Sequence, residues 1–91
     1  MQGDNDMYGK ILRFMRLSKR LKQSEVADII GVANSTLAHY ESECRAVTLE
    51  TAKQIADACN YEILFKNKDN NRIYRIDDMK QIDYDIRVIT K

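Results

Sequence analysis

The sequence predicts a mainly α-helical protein, with a four-helix core followed by a C-terminal β-hairpin or small antiparallel sheet. Apolar residues recur at helical spacing in four segments between residues 8 and 60. After Asn60 the pattern changes to strict alternation, which is typical of strands. The length of 91 residues suffices for one modest core. We therefore expect an N-terminal tail at 1–7, a helical domain at 8–60 and a β-rich extension at 61–91.

The four helices are predicted from their apolar stripes and end signals. The first ends near Ser18, and its stripe comprises Tyr8, Ile11, Leu12 and Met15. A second helix fits 23–30, where Gly31 interrupts the pattern, and a third fits 34–42. Thr48 is the expected N-cap of a fourth, with Glu50 in its first turn. The buried stripe expected of this fourth helix comprises Leu49, Ala52, Ile55, Ala56 and Cys59.

The extension reads as three short strands. In the first, apolar residues alternate with others at Tyr61, Ile63 and Phe65. The turn formers of 68–71 separate it from a second strand at 73–76, which predicts a hairpin. Alternation near the C-terminus predicts a third strand, whose apolar members are Ile82, Tyr84, Ile86 and Val88.

Composition excludes several classes of protein. No apolar run approaches the roughly 20 residues of a membrane span, and the polar, acidic N-terminus does not resemble a signal peptide, so we expect a cytoplasmic protein with no membrane partner. With two cysteines and one histidine, Cys44 is expected to be a loop thiol and Cys59 a core residue, with no metal and no cofactor. There is no glycine-rich phosphate loop and no paired nucleophile and base, so an enzyme is not expected.

Charge and motif point instead to nucleic acid. The net charge is only +1, but residues 10–22 carry six cations and no acidic residue, a pattern that also fits a solvated helix face. In 23–42, Ala27 is small where one helix crosses another, and Gly31 suits a sharp turn. The apolar positions that lock these two helices together are Val26, Ile30, Leu37 and Tyr40.

On these residues the chain resembles the lambda repressor–Cro (Xre-type) helix-turn-helix family over about 8–60. The strongest segments are Gln23-Ser-Glu-Val-Ala27, the Gly31 turn and Leu37-Ala-His-Tyr-Glu41. The resemblance implies a sequence-specific regulator of transcription that binds double-stranded DNA, acting as a repressor on an inverted-repeat operator.

The family also implies roles for individual residues. The helix from Asn34 corresponds to the recognition helix, and the expected base contacts are Asn34, Ser35, Ala38 and His39. The expected phosphate contacts are Lys22, Gln23, Thr36 and Arg45. Arg16 and Glu41 match a partly buried salt bridge between the first and third helices. Together with Ala27, Gly31 and Leu37 they are expected to be structural.

Some positions depart from the family or allow other roles. Lys22 stands where a Thr or Ser cap is usual, and Glu43 stands where a glycine often ends the recognition helix. Asn34 and Ser35 could serve only as helix caps, and His39 could face solvent without a role.

Partners are also left open by the sequence. Residues 61–91 are expected to form a homodimer contact through open strand edges, or else to pack as a sheet on the fourth helix. The short β tail also resembles antitoxins that bind a cognate toxin. A protein-interaction module that has lost DNA binding is a further alternative.

Overall fold

The computed structural model describes residues 3–42 and 45–91, with side chains from residue 8 onward, and Glu43 and Cys44 lie outside these ranges. The chain divides into two compact units, Met1–Tyr61 and Glu62–Lys91. The first contains α1 (Gly3–Ser18), α2 (Gln23–Ile30), α3 (Asn34–Glu41) and α4 (Leu49–Ala58). The second contains β1 (Leu64–Lys66), β2 (Ile73–Arg75) and α5 (Met79–Thr90). Within the described ranges, no helix is both long and apolar enough to cross a membrane. The predicted fold class, mainly α with a C-terminal hairpin, is confirmed.

The core of the first unit lies where α1 and α2 pack against α3 and α4. Its buried apolar side chains are Leu12, Met15, Val26, Ala27, Leu37, Ile55, Ala56 and Cys59. The expectation that Leu49 is buried is wrong, because this residue is 54% exposed; in the stripe of α1, Tyr8 and Ile11 are also exposed, at 60% and 52%. Apolar spacing marks which side of a helix is apolar, but the neighbouring helices cover only part of that side.

Helix α1 also begins earlier than predicted, at Gly3 and not at Tyr8, so the expected tail at 1–7 is largely helical. Apolar periodicity reports only the turns of a helix that bury a face. The segment before Tyr8 is mostly polar in sequence and offers no apolar spacing from which a helix could be predicted.

The helix ends follow from local chemistry. The Thr48 hydroxyl accepts a hydrogen bond from the Thr51 N–H at 3.1 Å, as expected of an N-cap. Gly31 has φ of 76° and donates its N–H to the Ala27 carbonyl, which ends α2. No atom lies within 4 Å of where a Cβ would sit at Gly31, so the glycine is required by its positive φ and not by crowding.

A buried ion pair joins α1 to α3. Arg16 donates from Nε and Nη2 to the two carboxylate oxygens of Glu41, at 2.7 and 2.9 Å. The third nitrogen, Nη1, donates to the Leu21 carbonyl at 2.9 Å, in the connection between α1 and α2. Both residues are buried, at 8% and 5% exposed. The hydrogen bonds that Arg16 donates to Glu41 raise the pKa of Arg16 above its ordinary value, which favours the charged guanidinium.

The second unit consists of the hairpin and α5. The strands are antiparallel, with Phe65 opposite Tyr74. The third strand expected near the C-terminus is wrong, because this segment forms α5. The alternation over 82–88 is present, but the same segment also fits a helix. Apolar residues recur at helical spacing at Met79, Ile82, Ile86 and Ile89. Residues 62–91 contain no buried side chain.

We predict that Arg16→Met destabilises the fold by about 3–5 kcal/mol, since Glu41 is left as an uncompensated buried charge. The double variant Arg16→Met/Glu41→Leu is expected to recover stability to within about 1 kcal/mol of wild type, because both desolvated charges are gone. Urea unfolding followed by circular dichroism measures both changes. As a matched control, Asp57→Asn breaks the exposed Lys53–Asp57 pair and should cost under about 0.5 kcal/mol. Equal losses in single and double variants would contradict this account.

Candidate nucleic-acid interface

Helix α3 separates a buried side from an outward polar side. Leu37 and Glu41 are buried against the other helices. The side chains expected to read bases lie on the outward side, where Asn34, Ser35 and His39 are exposed and Ala38 is half-buried. Their positions at i, i+1, i+4 and i+5 place all four along one side of the helix. Thr36, expected to contact phosphate, is half-buried.

The first turn of α3 has no side-chain cap. Its N-cap is Ala33, in extended conformation, and no side chain accepts a hydrogen bond from the first turn. The alternative in which Asn34 and Ser35 only cap the helix is therefore wrong, since both lie inside it. Neither they nor His39 makes a side-chain hydrogen bond to any other residue of the described ranges. The polar groups and the backbone N–H groups at this helix end remain available to an anion or to base edges.

The start of α2 presents a second uncapped turn. Lys22 is its N-cap residue and is exposed, and its side chain makes no capping bond because an ammonium has no acceptor. Glu25 supplies the other half of a capping box, accepting the Lys22 N–H at 2.7 Å. Sequence reasoning missed Glu25, although its position three residues after the cap is the usual signal.

Gln23 links this turn to the buried ion pair. Its Nε2 donates to Oε1 of Glu41 at 3.2 Å, so the amide is held at the start of α2 while a second N–H remains on the same nitrogen. Sequence reasoning missed this contact because it joins residues 18 positions apart. Arg45 is exposed, and along the chain it follows α3 after Glu43 and Cys44.

The end of the first unit is fixed to α1. The Tyr61 hydroxyl and the Ser18 hydroxyl share a hydrogen bond of 2.6 Å, and the Lys19 ammonium lies 4.9 Å from the centre of the Tyr61 ring. Cys59 is buried two residues earlier, and burial raises the pKa of its thiol. Among the described residues, no three His, Cys, Asp or Glu side chains converge as metal ligands would.

Comparison with known proteins agrees with this geometry. The family model for the HTH_3 helix-turn-helix matches residues 12–65. The crystal structure of the restriction-modification controller protein C.AhdI from Aeromonas hydrophila is similar, with a TM-score of 0.62 and 30% sequence identity. The similarity covers 66% of this chain and 91% of that one. No curated protein matches the sequence.

The family match spans more than half of the chain and includes all of α2, α3 and α4. The chain therefore belongs to the HTH_3 helix-turn-helix family, the lambda repressor–Cro (Xre-type) family that its sequence resembles, and is a DNA-binding transcriptional regulator.

Proposed function

We propose that this protein is a repressor that binds an inverted-repeat operator as a homodimer. The observation that carries the proposal is the outward side of α3, where exposed polar side chains without internal partners surround an uncapped helix end. A helix inserted by its N-terminal end can reach base edges in the major groove. Repression requires nothing more of the protein than occupancy of its operator.

The base-reading set has the required chemistry. The Asn34 amide can both donate to and accept from an adenine edge, and Ser35 can do either with several bases. Ala38 offers a methyl group to a thymine methyl, and the His39 ring can donate to the acceptors of guanine. We assign direct base contact to these four residues.

Phosphate contacts would fix the register of α3 on the duplex. Lys22 and Arg45 are exposed cations on either side of the α2–α3 pair, and Thr36 can donate from its hydroxyl. Gln23 would donate its remaining amide N–H to a phosphate, while Glu41 holds the other. The uncapped first turn of α2 favours an anion at the same place.

The second unit supports dimer formation through residues 62–91. A hairpin with one short helix and no buried side chain gains little stability by itself. Its exposed apolar side chains include Leu64, Phe65, Ile73, Met79, Ile86 and Ile89. A symmetric dimer would cover such a surface and present two α3 helices to two half-sites. No observation on the described residues favours a toxin partner.

Selection from randomised duplex DNA tests the function. We expect enrichment of an inverted repeat whose half-sites lie one helical turn, about 34–36 Å, or a multiple of it, apart. We also expect the affinity for the selected duplex to fall steeply as salt rises, because bound phosphates release counterions. If no duplex is enriched even at low salt, the proposal is overturned and the fold serves as a protein-interaction module.

We predict that Ser35→Ala and His39→Ala each weaken binding to the selected operator by about 1–3 kcal/mol, with little change on unrelated DNA. Base contacts contribute only where the matching base is present. Fluorescence anisotropy with both duplexes measures the ratio of the two affinities. The control Gln54→Ala lies on α4, outside the proposed interface, and should leave both affinities unchanged. Equal weakening on both duplexes would assign these side chains to the DNA backbone.

We predict a different result for Lys22→Ala and Arg45→Ala. Each should weaken binding to the operator and to unrelated duplexes alike. Each should also lower the magnitude of the slope of log K against log salt by about 1, because one phosphate contact is lost. Titrations at several salt concentrations give the slope. Lys53→Ala, which removes a cation paired with Asp57 on α4, serves as the charge-matched control. An unchanged slope in both variants would exclude these residues from the interface.

A further inference from the structure

Helix α5 has an apolar stripe with acidic borders. The stripe consists of Met79, Ile82, Ile86 and Ile89, spaced by three, four and three residues, and Ile89 is 81% exposed. On a helical projection, Asp78 and Asp85 lie on one border of this stripe and Asp83 on the other, and Asp85 is half-buried and pairs with Arg72 at 3.7 Å. The cation Lys80 lies toward the opposite side, and Arg87 lies one turn after Asp83. A surface that is apolar and positively charged would therefore be complementary to this stripe and its borders.

A second copy of α5 is not such a surface. If two such helices packed along their stripes, the flanking positions of one would face the flanking positions of the other. Since carboxylates lie on both borders, parallel and antiparallel arrangements each bring carboxylate groups together. Like charges in such positions destabilise a helix pair.

The outer side of α1 has the matching character. Lys10, Arg13, Phe14 and Leu17 follow one another at i, i+3, i+4 and i+7, and all four are exposed. Phe14 is 63% exposed and Leu17 is 50% exposed, and Ile11 lies beside them at 52%. No acidic residue occurs from 8 to 24. Neither Lys10 nor Arg13 forms an ion pair with another residue in the described part of the chain.

From this complementarity we infer that α5 of one protomer packs on the outer side of α1 of a second protomer. The inference rests on the proposed homodimer and specifies its contact. Because each protomer carries both surfaces, the exchange is reciprocal and two-fold symmetric, so every dimer contains the contact twice. Each contact brings large exposed apolar side chains of both helices together and places Arg13 and Lys10 against the acidic borders. Two such contacts add toward the roughly 800 Å² per partner that a stable interface buries.

Trans-complementation of charge reversals tests the arrangement in the full-length protein. Arg13→Glu on α1 and Asp83→Lys on α5 should each weaken the homodimer about tenfold, by placing like charges together in both contacts. When the two variants are mixed, each of the two contacts in the heterodimer regains opposite charges. We therefore expect the heterodimer to form with an affinity within about threefold of wild type, about 0.65 kcal/mol. Sedimentation equilibrium measures the dimer dissociation constants of the Arg13→Glu variant, of the Asp83→Lys variant and of their mixture.

The controls and the contrary outcomes are distinct. Lys80→Glu, on the opposite side of α5, and Asp69→Lys, in the hairpin turn, are matched reversals that should leave dimerisation unchanged. Phe14→Ala should weaken the dimer without altering the unfolding of the dilute monomer, since its side chain is already exposed there. If wild type dimerises but Arg13→Glu has no effect and mixing restores nothing, the α1 contact is overturned while the tail-mediated dimer stands. If wild type is a monomer at every concentration, the proposed homodimer fails.

Discussion

The bidentate ion pair between Arg16 and Glu41 determines how the helices of the first unit are arranged. Two charges in an apolar core are tolerated only with good geometry and hydrogen-bond partners, and here each guanidinium nitrogen donates, two of them to Glu41 and one to the Leu21 carbonyl. The planar fork allows little freedom in direction. It therefore fixes α3 against α1 and holds the connection that leads into α2.

The same carboxylate connects the core to the surface proposed to bind DNA. Glu41 accepts a third hydrogen bond from Gln23, at the first turn of α2. The first turns of both α2 and α3 lack side-chain caps, with Lys22 and Ala33 at the capping positions. At both ends the N-cap side chain makes no capping bond, although Glu25 accepts the Lys22 N–H at the start of α2, whereas Thr48 caps α4 in the same unit. Such departures are expected at functional sites, where a bound phosphate or base replaces the missing cap.

The second unit, unlike the first, has no buried core. The first unit has a buried apolar core, whereas residues 62–91 bury none of their apolar side chains fully and expose large aliphatic side chains on α5. Its internal links are few and mostly exposed, such as the Arg75–Glu62 pair at 2.9 Å. In the proposed homodimer, such an extension would be stabilised by the partner that covers it. The acidic borders of α5 make the basic, apolar side of α1 in a second protomer a better partner than another α5.

The sequence alone predicts three of the first four helices to within a residue at each end, together with the Gly31 turn and the Thr48 cap. It also predicts the hairpin and the family. Each of these features depends on a local pattern, namely apolar periodicity, cap chemistry or turn geometry. The sequence misassigns α5, because apolar residues alternating over 82–88 fit a strand while a wider window fits a helix. It also assigns Leu49 to a buried stripe, because periodicity cannot tell how far neighbouring helices extend over an apolar side. The uncapped start of α3 and the bond from Gln23 to Glu41 depend on the backbone conformation at Ala33 and on the crossing of distant helices, which only the tertiary structure decides.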